Sequence, residues 1–208
     1  MGAIEQNSGA IMGARDELDT ELFRNSHDAL MFAFRFSTQQ YALSPMAKLM
    51  KTGIGSGKGL VANDGAAQAG LILARVARMS SLHQACIVAR FDPRMEECPC
   101  CQSKDKMTDA YREAIATLTE WSLSAMTGIS IRNMRAAIIR SFFERGVSIS
   151  DSAKQLGVSK STAYDQKTKI FHALKKLDAE AQRHAEDVLA GICQEIQEMA
   201  CVGKNSPV

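Results

Sequence analysis

The sequence predicts an all-α protein: a multi-helix N-terminal body, then a helix-turn-helix unit and a final acidic helix. Three observations carry that prediction. Apolar residues recur three and four apart over most of the chain, and the alternation expected of strands is scarce. Residues 148–176 read SISDSAKQLGVSKSTAYDQKTKIFHALKK, with small, turn, cap and apolar residues spaced as two helices meeting at a turn require.

Taken in order, residues 1–24 have no sustained apolar period and are expected to form a flexible N-terminus. The helical body spans 25–127. Its first helix runs from Ser26 to about Leu43 and is rich in phenylalanine (Phe32, Phe34, Phe36), and a short helix follows around Pro45 to Met50. A glycine-rich loop occupies 52–65. Asp64 is placed to cap a long helix through Leu71, Leu73, Val76 and Met79, and the Ser80, Ser81 pair marks a kink or new cap before a helix from Leu82 to Phe91. A cysteine-bearing loop fills 92–106. Thr108 then caps a helix through Leu118, Trp121 and Met126.

The helix-turn-helix unit, the DNA-binding part of the chain if its outward face reads as below, is expected at 128–177. Ser130 begins a supporting helix through Met134, Ile138, Ile139, Phe142 and Phe143 to Gly146. A short helix from Ile149 to Leu156 turns Ile149, Ala153 and Leu156 inward, with small Ala153 where a second helix must pass close by. Gly157 suits the left-handed backbone at the turn, and Ser159 suits the N-cap of the next helix, whose stripe is Ala163, Ile170 and Leu174. The outward face then reads Ser159, Lys160, Ser161, Thr162, Tyr164, Asp165, Lys167 and Thr168. Lysines and hydroxyls near the start of such a helix reach phosphates and base edges of double-stranded DNA. The competing reading is a helical hairpin whose polar face is merely solvated.

Charge supports the DNA reading locally. The 208-residue chain has a formal charge of only +2, which argues against indiscriminate polyanion binding. From Arg140 to Lys176, however, there are eight Lys or Arg and three Asp or Glu, a net of +5. After Lys176 the balance reverses. Residues 177–208 carry six acidic and two basic side chains, a net of −4, on a helical pattern through Ala181, Val188, Ile192, Ile196 and Met199. That last segment, 178–208, is expected to pack on the body or to join a second copy in a homo-oligomer. A 46% hydrophobic and 23% charged composition, without a membrane-length apolar run or a secretory core, points to the cytoplasm.

Six cysteines without a secretory signal argue against a disulfide framework. Cys98 and Cys101 form a C-x-x-C pair, the spacing that brings two thiolates to one tetrahedral zinc, and Cys100, Cys86 and His83 are candidates to complete a structural site. Cys86 and His83 lie three apart on one helix face. The alternative is thiols that are inert or redox-active. GIGSGKG at 53–59 is not a P-loop: the position that needs the first glycine is Thr52, and Gly59 stands where a Ser or Thr would hold magnesium. No catalytic constellation emerges, so an enzyme is not expected. A zinc-dependent nucleic-acid enzyme, with Glu96 or Glu97 as its acid or base, is the weakest alternative.

Two resemblances attach to these residues. Met134 to Leu177, with LGVSKSTAYDQKTKIFHALKKL, resembles region 4 of bacterial sigma factors, which implies that Lys160, Ser161, Thr162 and Tyr164 read DNA; sigma factors usually carry more arginine on that face. FRNSHDALMFAFRFSTQQYALSPMAKLM through GLVANDGAAQAG to the cysteine loop resembles phage late-gene antiterminators of the Q type. That resemblance implies a factor that binds DNA beside a late promoter, engages RNA polymerase and its sigma factor there, and permits terminator read-through. Some members carry a cysteine zinc motif, with which Cys98 and Cys101 are compatible. The alternative in the same class is a conventional dimeric helix-turn-helix repressor or activator.

Overall fold

In a computed structural model the structure describes residues 23–41, 62–96, 100, 101, 103, 106–124 and 131–202. Among them are seven α-helices and a two-stranded ribbon: α1 (Ser26–Tyr41), α2 (Ala62–Val76), α3 (Ser81–Phe91), β1 (Met95–Glu96), β2 (Lys106–Met107), α4 (Asp109–Trp121), α5 (Arg132–Phe143), α6 (Ile149–Gln155) and α7 (Lys160–Val202). The protein is mostly helical, as the apolar periodicity predicts. No described helix is long and apolar enough to cross a membrane.

Local signals set several boundaries. The Ser80 hydroxyl accepts from the His83 amide at the start of α3, and the Thr108 hydroxyl accepts from the Tyr111 amide at the start of α4. Each satisfies a backbone donor that the first helical turn leaves without an internal partner. Helix α2 differs from expectation. It begins at Ala62, so Asp64 lies within its first turn rather than ahead of it. Its buried positions are Gly65, Ala69, Ile72 and Val76, stepping by four, three and four, which leaves Leu71 outward at 44% exposure. Gly65 therefore belongs to a helix interface. A methyl group there would stand 3.0 Å from the Phe36 ring of α1, so the glycine permits the close approach of α1 and α2.

The cysteine loop is closed by structure that alternation could not reveal. β1 and β2 are only two residues long and pair antiparallel, Met95 with Met107 and Glu96 with Lys106, with the Lys106 ammonium 3.1 Å from the Glu96 carboxylate. The expected helix around 45–50, the glycine-rich residues 52–61, Cys98, Met126 and Ser130 lie outside the described residues.

The largest departure is α7. The change of charge near Lys176 suggests a separate acidic helix, yet Lys160–Val202 is one continuous helix of 43 residues. Its inner stripe explains why: Ala163, Ile170, Leu174, Leu177, Ala181, Ala185 and Leu189 are all buried and recur at helical spacing straight through the change. There is no proline in the helix, and its one glycine is Gly191. Helix α7 packs against α1, α2, α3, α5 and α6. One hydrophobic core runs from Phe23 through Ile72, Ile87, Tyr111, Met134 and Ile138 to Ile170 and Leu189.

Candidate nucleic-acid interface

The expected site rests on α5, α6 and the start of α7. The Ser148 hydroxyl accepts from the Asp151 amide at 3.2 Å and so starts α6. At its other end Gly157 has φ +67°, the Val158 amide reaches back to the Ala153 carbonyl at 2.9 Å, and the Gly157 amide reaches the Lys154 carbonyl at 3.4 Å. This paired return is the Schellman closure, and it requires the left-handed residue that glycine supplies without steric cost. Two residues later the Ser159 hydroxyl accepts from the Thr162 amide at 3.1 Å, while its carbonyl accepts from Ala163 at 3.0 Å. The chain thus turns and begins α7 within four residues.

Each inward residue expected from the sequence is at least partly buried. Ile149 is 5% exposed, and Ala153, Ala163, Ile170 and Leu174 are fully buried, with Leu156 partly so. The two alanines let α6 and α7 approach closely while Met134, Ile138 and Ile139 of α5 close the core behind them. Ser159, Lys160, Ser161, Thr162, Tyr164, Asp165 and Thr168 are exposed. Three of these hydroxyls have internal partners: the Thr162 Oγ1 and the Ser159 Oγ lie 2.8 Å apart, and the Thr168 hydroxyl donates to the Tyr164 carbonyl at 3.0 Å.

Lys167 differs from these exposed residues. It is half-buried, with its ammonium 5.6 Å from the Tyr164 ring centroid and 5.0 Å from that of Phe171. Phe171 packs edge-on against Phe142, which meets Phe143 in turn, and the Arg90 guanidinium lies 5.8 Å from the Phe143 ring. Arg90 then grips Asp178 with two hydrogen bonds, Nε to Oδ1 at 3.1 Å and Nη2 to Oδ2 at 2.5 Å. A contiguous series of contacts therefore joins exposed Tyr164 to the body.

A second polar cluster fixes the end of α5. Glu144 receives the Tyr111 hydroxyl of α4 and two hydrogen bonds from Arg140, and Arg94 donates to the Phe143 carbonyl at 2.6 Å. Burial alone would raise the Glu144 pKa, but the donors on its carboxylate outweigh it and hold that pKa below the usual carboxylate value. Tyr111, fully buried, has its phenol pushed upward by desolvation and by the adjacent carboxylate.

No family model, curated protein or solved structure matches this chain. Function must therefore be read from the residues themselves.

Cys98 lies outside the described residues, and among the described zinc candidates Cys86 and His83 do not converge on one point. Cys86 is fully buried, and desolvation first, then Asp178, pushes its thiol up to about 12, the wrong direction for a thiolate ligand. His83 faces His184 of α7, with Nδ1 to Nδ1 at 3.0 Å, rather than the cysteine loop. Their spacing on α3 does not make Cys86 and His83 co-ligands, because the helix turns one into the core and the other toward α7. Cys100 and Cys101 are exposed on the segment that the β1–β2 ribbon closes, with the Cys101 thiol 3.3 Å from the Ser103 hydroxyl. Among the described residues no three His, Cys, Asp or Glu side chains converge as a metal site. The sequence reading missed Arg90, Asp178, Phe171 and His184. Of these, Phe171 alone had a local signal, a spacing of seven from Tyr164 on one helix.

Proposed function

We propose that this protein is a sequence-specific DNA-binding regulator of transcription that lays the start of α7 in a major groove, a helix-turn-helix with α6 as its first helix. The observation that supports this most directly is the joint at 156–159. A left-handed Gly157, a capping Ser159 and two buried alanines hold α6 and α7 together, leaving Lys160, Ser161, Thr162 and Tyr164 outward at a helix N-terminus. That end favours an anion, and these side chains supply a phosphate contact, hydroxyl donors and an apolar ring edge for base recognition. Exposed Arg145, Lys154, Lys169, Lys175 and Lys176 add phosphate-directed charge around it.

Within that reading we favour antitermination of the phage late-gene type, through RNA polymerase and its sigma factor. The resemblance of the N-terminal segments supports it, and so does the continuity of α7, which ties the DNA-reading end to a body larger than groove binding requires. Transcription in vitro across a terminator, from a template carrying the cognate site, tests the mechanism. Added protein should raise read-through. Binding that leaves read-through unchanged would instead identify an operator-occupying repressor or activator. A structural zinc at Cys98 and Cys101 is a separate proposal, resting on their C-x-x-C spacing and on the ribbon that closes the segment. Metal content and folding stability of Cys98→Ser and Cys101→Ser test it.

A further inference from the structure

His83 and His184 stand 101 residues apart in the chain, on α3 and α7, and meet nitrogen to nitrogen. Their Nδ1 atoms are 3.0 Å apart, the ring centroids 5.2 Å and the ring planes 77° to one another, and both residues are half-buried. In a neutral pair one Nδ1–H donates and the other Nδ1 accepts. Moving that single proton to Nε2 of the same ring gives two facing lone pairs, with no proton lost from the pair.

We infer that these two imidazoles form a binding site for a divalent transition-metal ion that clips α3 to α7. At metal–nitrogen distances of about 2.0–2.1 Å, two nitrogens 3.0 Å apart subtend an angle of about 94°. That is close to the right angle between adjacent positions of a square-planar or octahedral ion, and widening the pair by about 0.3 Å reaches the tetrahedral angle. Imidazole ligands suit copper(II), nickel(II) and zinc(II). Partial exposure leaves the remaining coordination positions open to water.

The backbone holds both donors in place before any ion arrives. His83 lies in the first turn of α3, where its amide is held by the Ser80 hydroxyl, and His184 is flanked by the fully buried Ala181 and Ala185. Glu180 and Asp187, four residues before and three after His184, share its helix face and are exposed, so they add negative potential without having to ligate. Neighbouring Arg183 turns its guanidinium to the Ala179 carbonyl at 3.5 Å. Because the donors come from distant parts of the chain, only the folded protein presents them together, and binding must stabilise the fold.

The test uses the tag-free, full-length protein and nickel(II). Nickel at roughly 30–100 times its Kd should raise Tm by about 4–10 °C. His184→Gln, which retains a hydrogen-bonding partner for His83, should abolish the rise, whereas the Cys98→Ser/Cys101→Ser double variant should keep it. Copper(II) electron paramagnetic resonance should show two equatorial imidazole nitrogens in the wild type and one in His184→Gln, so the assignment does not depend on stability alone. A rise that survives His184→Gln, one lost with the cysteines, or no rise at all would overturn the site.

Discussion

Along α7, residues 160–176 place Lys160, Ser161, Thr162, Tyr164 and Asp165 on an exposed face, whereas residues 177–191 turn Asp178 and His184 toward α3, where Arg90 and His83 meet them. The two stretches share one buried stripe and one backbone. They differ in where their polar groups find partners, the first largely in solvent and the second within the protein. A polar side chain that already has a buried or half-buried partner is part of the scaffold, while polar groups left outward at a capped helix start are available to a ligand.

The largest effect should come from breaking what the two stretches have in common. Leu174→Ala, at a fully buried position midway along the stripe, should cost about 2–5 kcal/mol, read as a lower denaturation midpoint. Next is the contrast itself. Asp178→Ala, which leaves Arg90 without its carboxylate, should cost about 1–3 kcal/mol of stability, less than a fully buried pair because Arg90 is 35% exposed, while the folded variant keeps its DNA affinity. Lys160→Ala with Thr162→Ala should do the reverse. Specific binding should fall about 10- to 100-fold, measured by titration of labelled operator, with stability changed by about 1 kcal/mol or less. Unchanged operator affinity would remove the groove assignment.

Two smaller effects sharpen the boundary between the stretches. Glu144→Gln should cost about 1–2 kcal/mol at neutral pH. The folded protein holds Glu144 below its ordinary value of 4.5, so its contribution is present above that pH and is lost as pH falls through the lowered folded value. Wild-type and variant stability curves should therefore converge in that acid range. Lys167→Ala should weaken binding to all DNA sequences alike, shallow the salt dependence by about one unit, and cost about 0.5–1 kcal/mol for the lost contact with the Tyr164 and Phe171 rings.

Much of the candidate site was legible because its signals are local. Gly157, Ser159 and Thr108 act on backbone groups within a few residues, and Ala163, Ile170 and Leu174 repeat at the helical period. What escaped was of two kinds. Arg90 with Asp178 and His83 with His184 join residues 88 and 101 apart, and no periodicity links them. The unity of α7 escaped because charge reverses on its outer face while the inner stripe continues, and packing follows the stripe. In α2 the reverse happened: Leu71, Ile72 and Leu73 are equal in size and adjacent, so composition could not choose among them, and Ile72 rather than Leu71 faces the core.

Helix α7 also has a mechanical meaning. At about 1.5 Å per residue it spans about 36 Å from Lys160 to His184, a single strut without a hinge. Tilting such a strut by about 5° at its anchored end moves the far end by about 3 Å. In the proposed DNA-bound arrangement that displacement is close to the rise of one base pair, about 3.4 Å, so a small shift where α3 grips the strut would change the register of the proposed groove contacts.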